Sequence, residues 1–224
     1  MTRCTKNIIL NLRTLSFVLL TLFLNGCASM TDLPTYVVIN NPDEPRKSVL
    51  RTPARELTFP LSPKDMAAIQ VLEAKFDQEE NMAGLAAPQI GFDIRAIIFE
   101  VKDDPILKRW RPDLTQTMPK VIWLNPRYKG IGHDKHTDYE GCFSVYNLAG
   151  PVARYKKVHY SAYTIDGDLI EGEAEGMLAR VIQHEVDHLN GRLCIDLVPK
   201  DKLLTIEEYR ARRKKAMETG EKED

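Results

Sequence analysis

Charge imbalance is nearly absent from this sequence: 31 Lys and Arg residues stand against 32 Asp and Glu, for a formal net charge of -1. That balance argues against a nucleic-acid binder, and no basic stripe with interleaved aromatics runs through the chain. No internal repeat is visible, which excludes a repeat architecture. Cysteine is scarce, with 4 in 224 residues. A chain of this length can build a core that needs no disulfide scaffold, and it fits one domain of generous size. Long apolar runs are missing too. The run LSFVLLTLFL, Leu15–Leu24, is too short to span a bilayer comfortably, since a spanning helix needs about 20 apolar residues.

What that short run can do follows from its flanks. Arg3, Lys6 and Arg13 give a basic start, and small residues follow the apolar centre, the pattern of a secretory signal. Leu24-Asn25-Gly26-Cys27 resembles the lipobox of bacterial lipoproteins, in which the cysteine receives a lipid and becomes the new N-terminus. An uncleaved anchor and a simple signal cut nearby are the alternatives. On the lipoprotein reading residues 1–26 are removed, residues 27–35 form a lipidated tether, and Cys27 carries the lipid. Three positive charges and no acid leave with the signal, so the formal charge moves from -1 to -4. Ala28 after the cysteine favours the outer membrane if the organism is Gram-negative. The expected location is therefore exported and membrane-anchored, or cytoplasmic if the signal is not used. Cys142 and Cys194 then remain. They form one disulfide in an oxidising compartment, or Cys142 is a metal thiolate and Cys194 a small buried hydrophobe.

Along the rest of the chain, Tyr36–Ile39 reads as a short strand after the tether. Apolar residues at helical spacing from Pro63 to Glu79, with Ser62 as N-cap, predict a helix. Gly84–Phe92 is a small-residue loop, Arg95–Val101 a buried strand, and Lys102–Lys120 an inserted surface loop. Val121–Leu124 is a short strand stopped by Asn125-Pro126. Antiparallel strands follow around Phe143–Val145, Val152–Arg154, Lys157–Ile165 and Leu169–Ala174, with a turn at Asp166-Gly167. Gly176–Leu189 is a second long helix, capped by Asn190-Gly191. A charged helix over Ile206–Met217 lies in a C-terminal segment, 201–224. Strands before and between two helices make an α+β domain, here antiparallel sheets around a central helix.

That helix carries the chemistry. In QHEVDHLNG, Gln183–Gly191, the histidines at 184 and 188 are one turn apart and share a face, so both imidazoles can reach one ion. Glu185 beside them can touch water at that ion, take its proton and hand one to a leaving group. Surface histidines on an amphipathic helix are the bland alternative. A catalytic site of this type needs a third protein ligand and an open position. No histidine follows His188, so a three-histidine set is excluded. Glu207 or Glu208, about twenty residues on, would fit a zincin-type peptidase. Cys142, inside EGCFS, would give a thiolate with two imidazoles, a set able to hold iron(II), nickel or zinc.

The neighbouring residues separate the two. GLAAPQIG (Gly84–Gly91), EGCFS (Glu140–Ser144) and QHEVDHLNG, in that order, resemble the three signature motifs of the peptide deformylases. PRKSVLRTPA, VIWLNP and EGEAEGMLARVIQHEVDHLNGRL extend the resemblance, which covers residues 36–200. It implies that Cys142, His184 and His188 hold one divalent metal, commonly iron(II), with zinc, nickel or cobalt as substitutes. It implies Glu185 as general acid and base. Gln89 and the backbone N–H of Phe143 would donate to the oxygen that becomes negative. Gly84 would pair with the substrate peptide as an added strand, with Glu140 also on the substrate side. The implied reaction removes formyl groups from N-formylmethionyl peptides and releases formate. The partners expected are an N-formylated peptide and, through the lipid, a membrane; the chain is expected to be a monomer without nucleic acid. A non-catalytic surface lipoprotein of the same fold is the remaining class.

The sequence departs from the family pattern in three places. Met82 stands where the first motif usually has glycine. Tyr146 stands where a proline usually follows the second motif. Asn147-Leu148-Ala149-Gly150 lacks the arginine many members use to meet the peptide. These changes bear on the substrate groove, and export would place the enzyme away from nascent chains.

Overall fold

A computed structural model describes residues 33–80 and 82–219; the expected signal and the lipidation site Cys27 lie outside them. Leu33 onward forms one compact unit. Its spine is a five-stranded antiparallel sheet in the order β1-β2-β3-β6-β7, built from Gly84–Ala86, Ala96–Val101, Met118–Gly130, Lys157–Tyr163 and Leu169–Glu175. A three-stranded sheet, β4-β5-β8, comes from Lys135–Cys142, Val145–Tyr155 and Leu204–Thr205. The α+β class with antiparallel sheets and a central helix is as expected.

The β2 sequence AIIFEV is apolar on both faces because both faces are covered. Ala96 and Ile98 pack with Leu85 and Leu124 against α1, Pro63–Gln78, through Ile69, Leu72 and Phe76. Ile97, Phe99 and Val101 pack with Trp123 against α3, Gly176–Leu189, through Ile182, Val186 and Leu189. That alternation is the period-2 signature of a strand sandwiched between helices. Ser62 Oγ caps α1 by accepting from Asp65 N at 3.1 Å. The α3 limits match the expected ones. Gly176 begins that helix at φ 59°, and a Cβ there would collide with Asp113 O.

Several expectations are corrected. Tyr36–Ile39 is not a strand; it is an extended segment whose Val37 N–H donates to Gln89 O (2.8 Å) and Ile39 N–H to Ser144 O (2.9 Å). Gly84–Ala86 is a strand rather than loop. The inserted segment folds as α2, Pro105–Trp110, with Asp104 accepting from the N–H groups of Ile106 and Leu107. Strand β3 does not stop at Asn125-Pro126 but bulges there. At the bulge Asn125 takes φ 48°, its side-chain amide accepts from Leu57 N (2.8 Å) and donates to Leu57 O (2.9 Å), and a bulge is where a strand tolerates proline. The polar β4 was not foreseen, and β5 is longer than expected. The expected C-terminal helix is present as α4, Ile206–Thr219, and is joined to the domain through β8 on β5. Among the described residues no helix is long and apolar enough to cross a membrane.

Candidate active site

One face of α3 presents Met177, Arg180, Val181, His184, Glu185 and His188. The end of β4 arrives opposite with Glu140 and Cys142. The thiol, His184 and His188 offer ligand atoms that all lie within 4.8 Å of one another, with Cys142 Sγ 3.3 Å from His188 Nε2. Cys142 and Cys194 are both free, so the disulfide alternative is not realised. Cys194 lies buried beside Val152 and Val198, as the small hydrophobe of the other reading. Glu208 is excluded as third ligand: its carboxylate accepts from Thr205 N and Oγ1, both at 2.8 Å, and caps α4. Glu207 is exposed in the same turn.

Behind the ligands sits a buried charge network that the sequence reading did not foresee. Glu140 Oε2 meets His184 Nδ1 at 2.9 Å. Arg154 donates to both Glu140 oxygens (3.0 and 2.9 Å), and Arg180 adds a bond to Oε1 at 2.6 Å. Arg154 also pairs with Asp187, which Tyr128 contacts at 3.3 Å. Both Glu140 oxygens are thus consumed. The expected substrate role is corrected: Glu140 borders the cleft, but its carboxylate orients His184. Burial alone would raise the Glu140 pKa, yet the bonds from His184 and Arg154 hold it well below the usual carboxylate range. The spacing Arg180, His184, His188, one residue every turn, was the available signal for the arginine.

The site demands positive charge. Burial opposes protonation of His184, but its bonds to Cys142 and Glu140 outweigh this and raise its proton affinity well above normal. A cation would answer the same demand. Burial, the neighbouring His184 and Arg154 push His188 well below normal, towards the neutral imidazole a metal needs. The donor set therefore fits a divalent cation.

Around this group, Gln89 is buried and fixed: its Oε1 accepts from Ala86 N at 2.8 Å, so its Nε2 turns to Cys142 Sγ at 3.4 Å. Ser144 N–H also donates to that sulfur at 3.4 Å. Glu185 is buried, Oε2 has no hydrogen-bond partner, and burial pushes its pKa up to about 7. Gly84 is required by contact, since a Cβ there would lie 2.5 Å from Glu185 Oε1. Phe143 is 47 % exposed and stacks on Tyr36 with centroids 4.9 Å apart. A cleft of about 260 Å³ opens between these groups, bounded also by Met82, Tyr139 and Arg111. Asn40 is a further residue missed by sequence: it exchanges two bonds with the Tyr146 backbone (2.9 and 2.8 Å) and ties the N-terminal segment to the second motif.

A cysteine and an HExxH helix converging on a cleft, with a buried glutamate beside them, make the donor set of a mononuclear metal-hydrolase site. The family model described as "Polypeptide deformylase" matches residues 36–203. Peptide deformylase 2 of Rickettsia conorii is 59% identical over 190 residues, covering 83% of this chain and 93% of that protein. Peptide deformylase 1 of Bordetella pertussis is 44% identical over 122 residues, covering 52% and 66%. Among solved structures, a Met-Ala-Ser-bound class I type b peptide deformylase from Acinetobacter baumannii superposes with TM-score 0.62 at 27% identity, covering 74% of this chain and 98% of that one. The Thermotoga maritima peptide deformylase gives 0.58 at 28% identity, covering 75% and 98%. The chain belongs to the peptide deformylase family, metal-dependent hydrolases that remove N-formyl groups.

Proposed function

We propose that this chain hydrolyses the formyl amide of N-formylmethionyl peptides with Cys142, His184 and His188 holding one iron(II), for which zinc, nickel or cobalt can substitute. A divalent ion in this set supplies Lewis acidity to a carbonyl oxygen and eases deprotonation of water. The chain's own residues do the rest. Gln89, its amide turned by Ala86 N–H, donates to the formyl oxygen as charge builds there, together with the Phe143 N–H. Glu185 takes the proton of the attacking water and delivers it to the departing amine nitrogen. A carboxylate with pKa about 7 can do both near neutrality. The C–N bond breaks, and formate and the free amine leave. Gly84 lies on β1, an edge strand, and offers its backbone for the peptide to pair with.

The observation that carries this reading is the fixed Gln89 amide aimed at the same sulfur that faces both histidines. The test is the anaerobic protein loaded with iron(II), assayed for free amine from formyl-Met-Ala-Ser. Turnover abolished by Glu185→Gln and by Cys142→Ser supports it; metal bound without turnover refutes it.

The lipobox-like Leu24–Cys27 supports an exported, lipid-anchored enzyme acting on formylated peptides outside the cytoplasm. Labelling of the full chain with a fatty-acid precursor, lost in Cys27→Ala, tests this; an unlabelled, uncleaved cytosolic protein removes it.

A further inference from the structure

The segment ahead of α1 laces the two motifs that carry Gln89 and Phe143. Val37 N–H donates to Gln89 O at 2.8 Å, and Ile39 N–H to Ser144 O at 2.9 Å. Asn40 holds both backbone groups of Tyr146, donating to its carbonyl at 2.9 Å and accepting from its N–H at 2.8 Å. One residue of the segment reaches Phe143 itself. The Tyr36 ring stacks on the Phe143 ring with centroids 4.9 Å apart and planes 22° apart. Tyr36 is anchored in turn. It packs on the core cluster around α1, and Lys75 of α1, paired with Glu79 at 2.9 Å, stands 4.6 Å from its ring centroid.

The backbone at Phe143 needs such an anchor. Phe143 and Ser144 form the turn between β4 and β5. Ser144 is fixed at both ends, its N–H donating to Cys142 Sγ at 3.4 Å and its carbonyl accepting from Ile39. Those bonds set the peptide plane after Phe143. The plane before it carries the Phe143 N–H, and its direction still depends on the rotation about the N–Cα bond of Phe143, one of only two soft dihedrals that a residue has. Cβ leaves Cα at a fixed angle to N and C, so pinning the side chain pins that rotation. Phe143 is an exposed aromatic, and its stack on Tyr36 is the one ring contact it makes among the described residues.

Resting on the deformylase reading, we propose that Tyr36 is a positioning residue for the reaction: its ring holds Phe143 so that the Phe143 N–H stays aimed at the formyl oxygen beside the Gln89 amide. The test compares Tyr36→Ala, Tyr36→Phe, Phe143→Ala and the double alanine variant in kcat and KM for formyl-Met-Ala-Ser, each loaded with iron(II). Tyr36→Ala is expected to lower kcat by about 10- to 100-fold, the scale of a displaced oxyanion donor, with KM within about twofold of the wild type. Tyr36→Phe keeps the ring and should keep kcat. In the Phe143→Ala background Tyr36→Ala should have no further effect, because it acts through the ring already removed. An unchanged kcat in Tyr36→Ala, a loss carried by KM, a loss that Tyr36→Phe shares, or losses that multiply in the double variant would overturn the assignment. Hydrogen exchange of the metal-free protein reads the stack without turnover. Residues 142–146 should exchange about tenfold faster in Tyr36→Ala than in the wild type or Tyr36→Phe, while α3 is unchanged. Equal acceleration in α3 would mark a general loss of stability and overturn the role. Acceleration confined to 142–146 in a chain that turns over no formyl peptide would sink the deformylase reading and keep the anchor; turnover that Tyr36→Ala leaves untouched would do the reverse.

Discussion

Replacing Glu140 by Gln removes one negative charge from a buried set that holds two arginines and a histidine. Arg154 keeps Asp187, but Arg180 keeps only the carbonyls of Val152 (3.0 Å) and His136 (2.7 Å). The amide cannot accept at both ends, so one of His184 Nδ1 and the guanidinium groups faces an N–H instead of an oxygen. Breaking a buried pair by removing one partner costs about 3–5 kcal/mol; with Asp187 still beside Arg154, the lower end applies. A domain of this size loses about 2–4 °C of Tm per kcal/mol, so the melt should fall by roughly 6–12 °C. His184 loses the partner that fixes its tautomer, and metal affinity should drop about 10- to 100-fold. Thermal melts of the metal-free protein and chelator competition with zinc(II) read the two effects separately. Glu208→Gln is the control that leaves metal affinity unchanged. A Tm change under about 2 °C together with unaltered affinity would refute the assignment of Glu140 as the orienting group.

Glu185→Gln should keep its metal content yet lose about 10²–10⁴-fold in kcat, measured as amine release, because only proton transfer is removed. Gly84→Ala drives a Cβ to 2.5 Å from Glu185 Oε1, and displacement of that carboxylate should lower kcat about 100-fold without unfolding, as circular dichroism would check. Burial pushes the Cys194 thiol up to about 12 from 9.0, and burial with Asp187 nearby pushes Tyr128 up to about 12 from 10.0. Both groups stay neutral longer when folded, so their stabilisation is whole below pH 9 and declines as pH rises towards 12. Denaturant melts across that range should show the fall, and iodoacetamide at about pH 8.5 should alkylate Cys194 only after unfolding.

The sequence carried the metal chemistry because local rules suffice for it. The His184/His188 pair needs only helical periodicity, and the limits of α3 follow from a loop-forming glycine at one end and Asn190-Gly191 at the other. The α1 cap at Ser62 and the buried β2 run were legible for the same reason. Where the reading failed, the determinant was not local. Polar β4 is a strand because β5 pairs with it, and Asn125-Pro126 continues β3 because the Asn125 N–H donates to Arg95 O while its side-chain amide occupies the backbone of Leu57, far away in sequence. Spacing alone left Cys142 and Glu208 open; the motifs around Cys142 favoured it by resemblance, and the fold brings the end of β4 to α3 so that its thiol lies with His184 and His188. Glu140 changed from a substrate-side residue to the anchor of His184 once Arg154 and Arg180 converged on it. Short-range pattern thus determined which groups can bind a metal and move a proton. The tertiary structure decided which of them meet: burial makes unpaired charge costly, so Glu140 and Asp187 lie where the arginines reach them, while Glu185 is left buried with an unpartnered oxygen and a raised pKa.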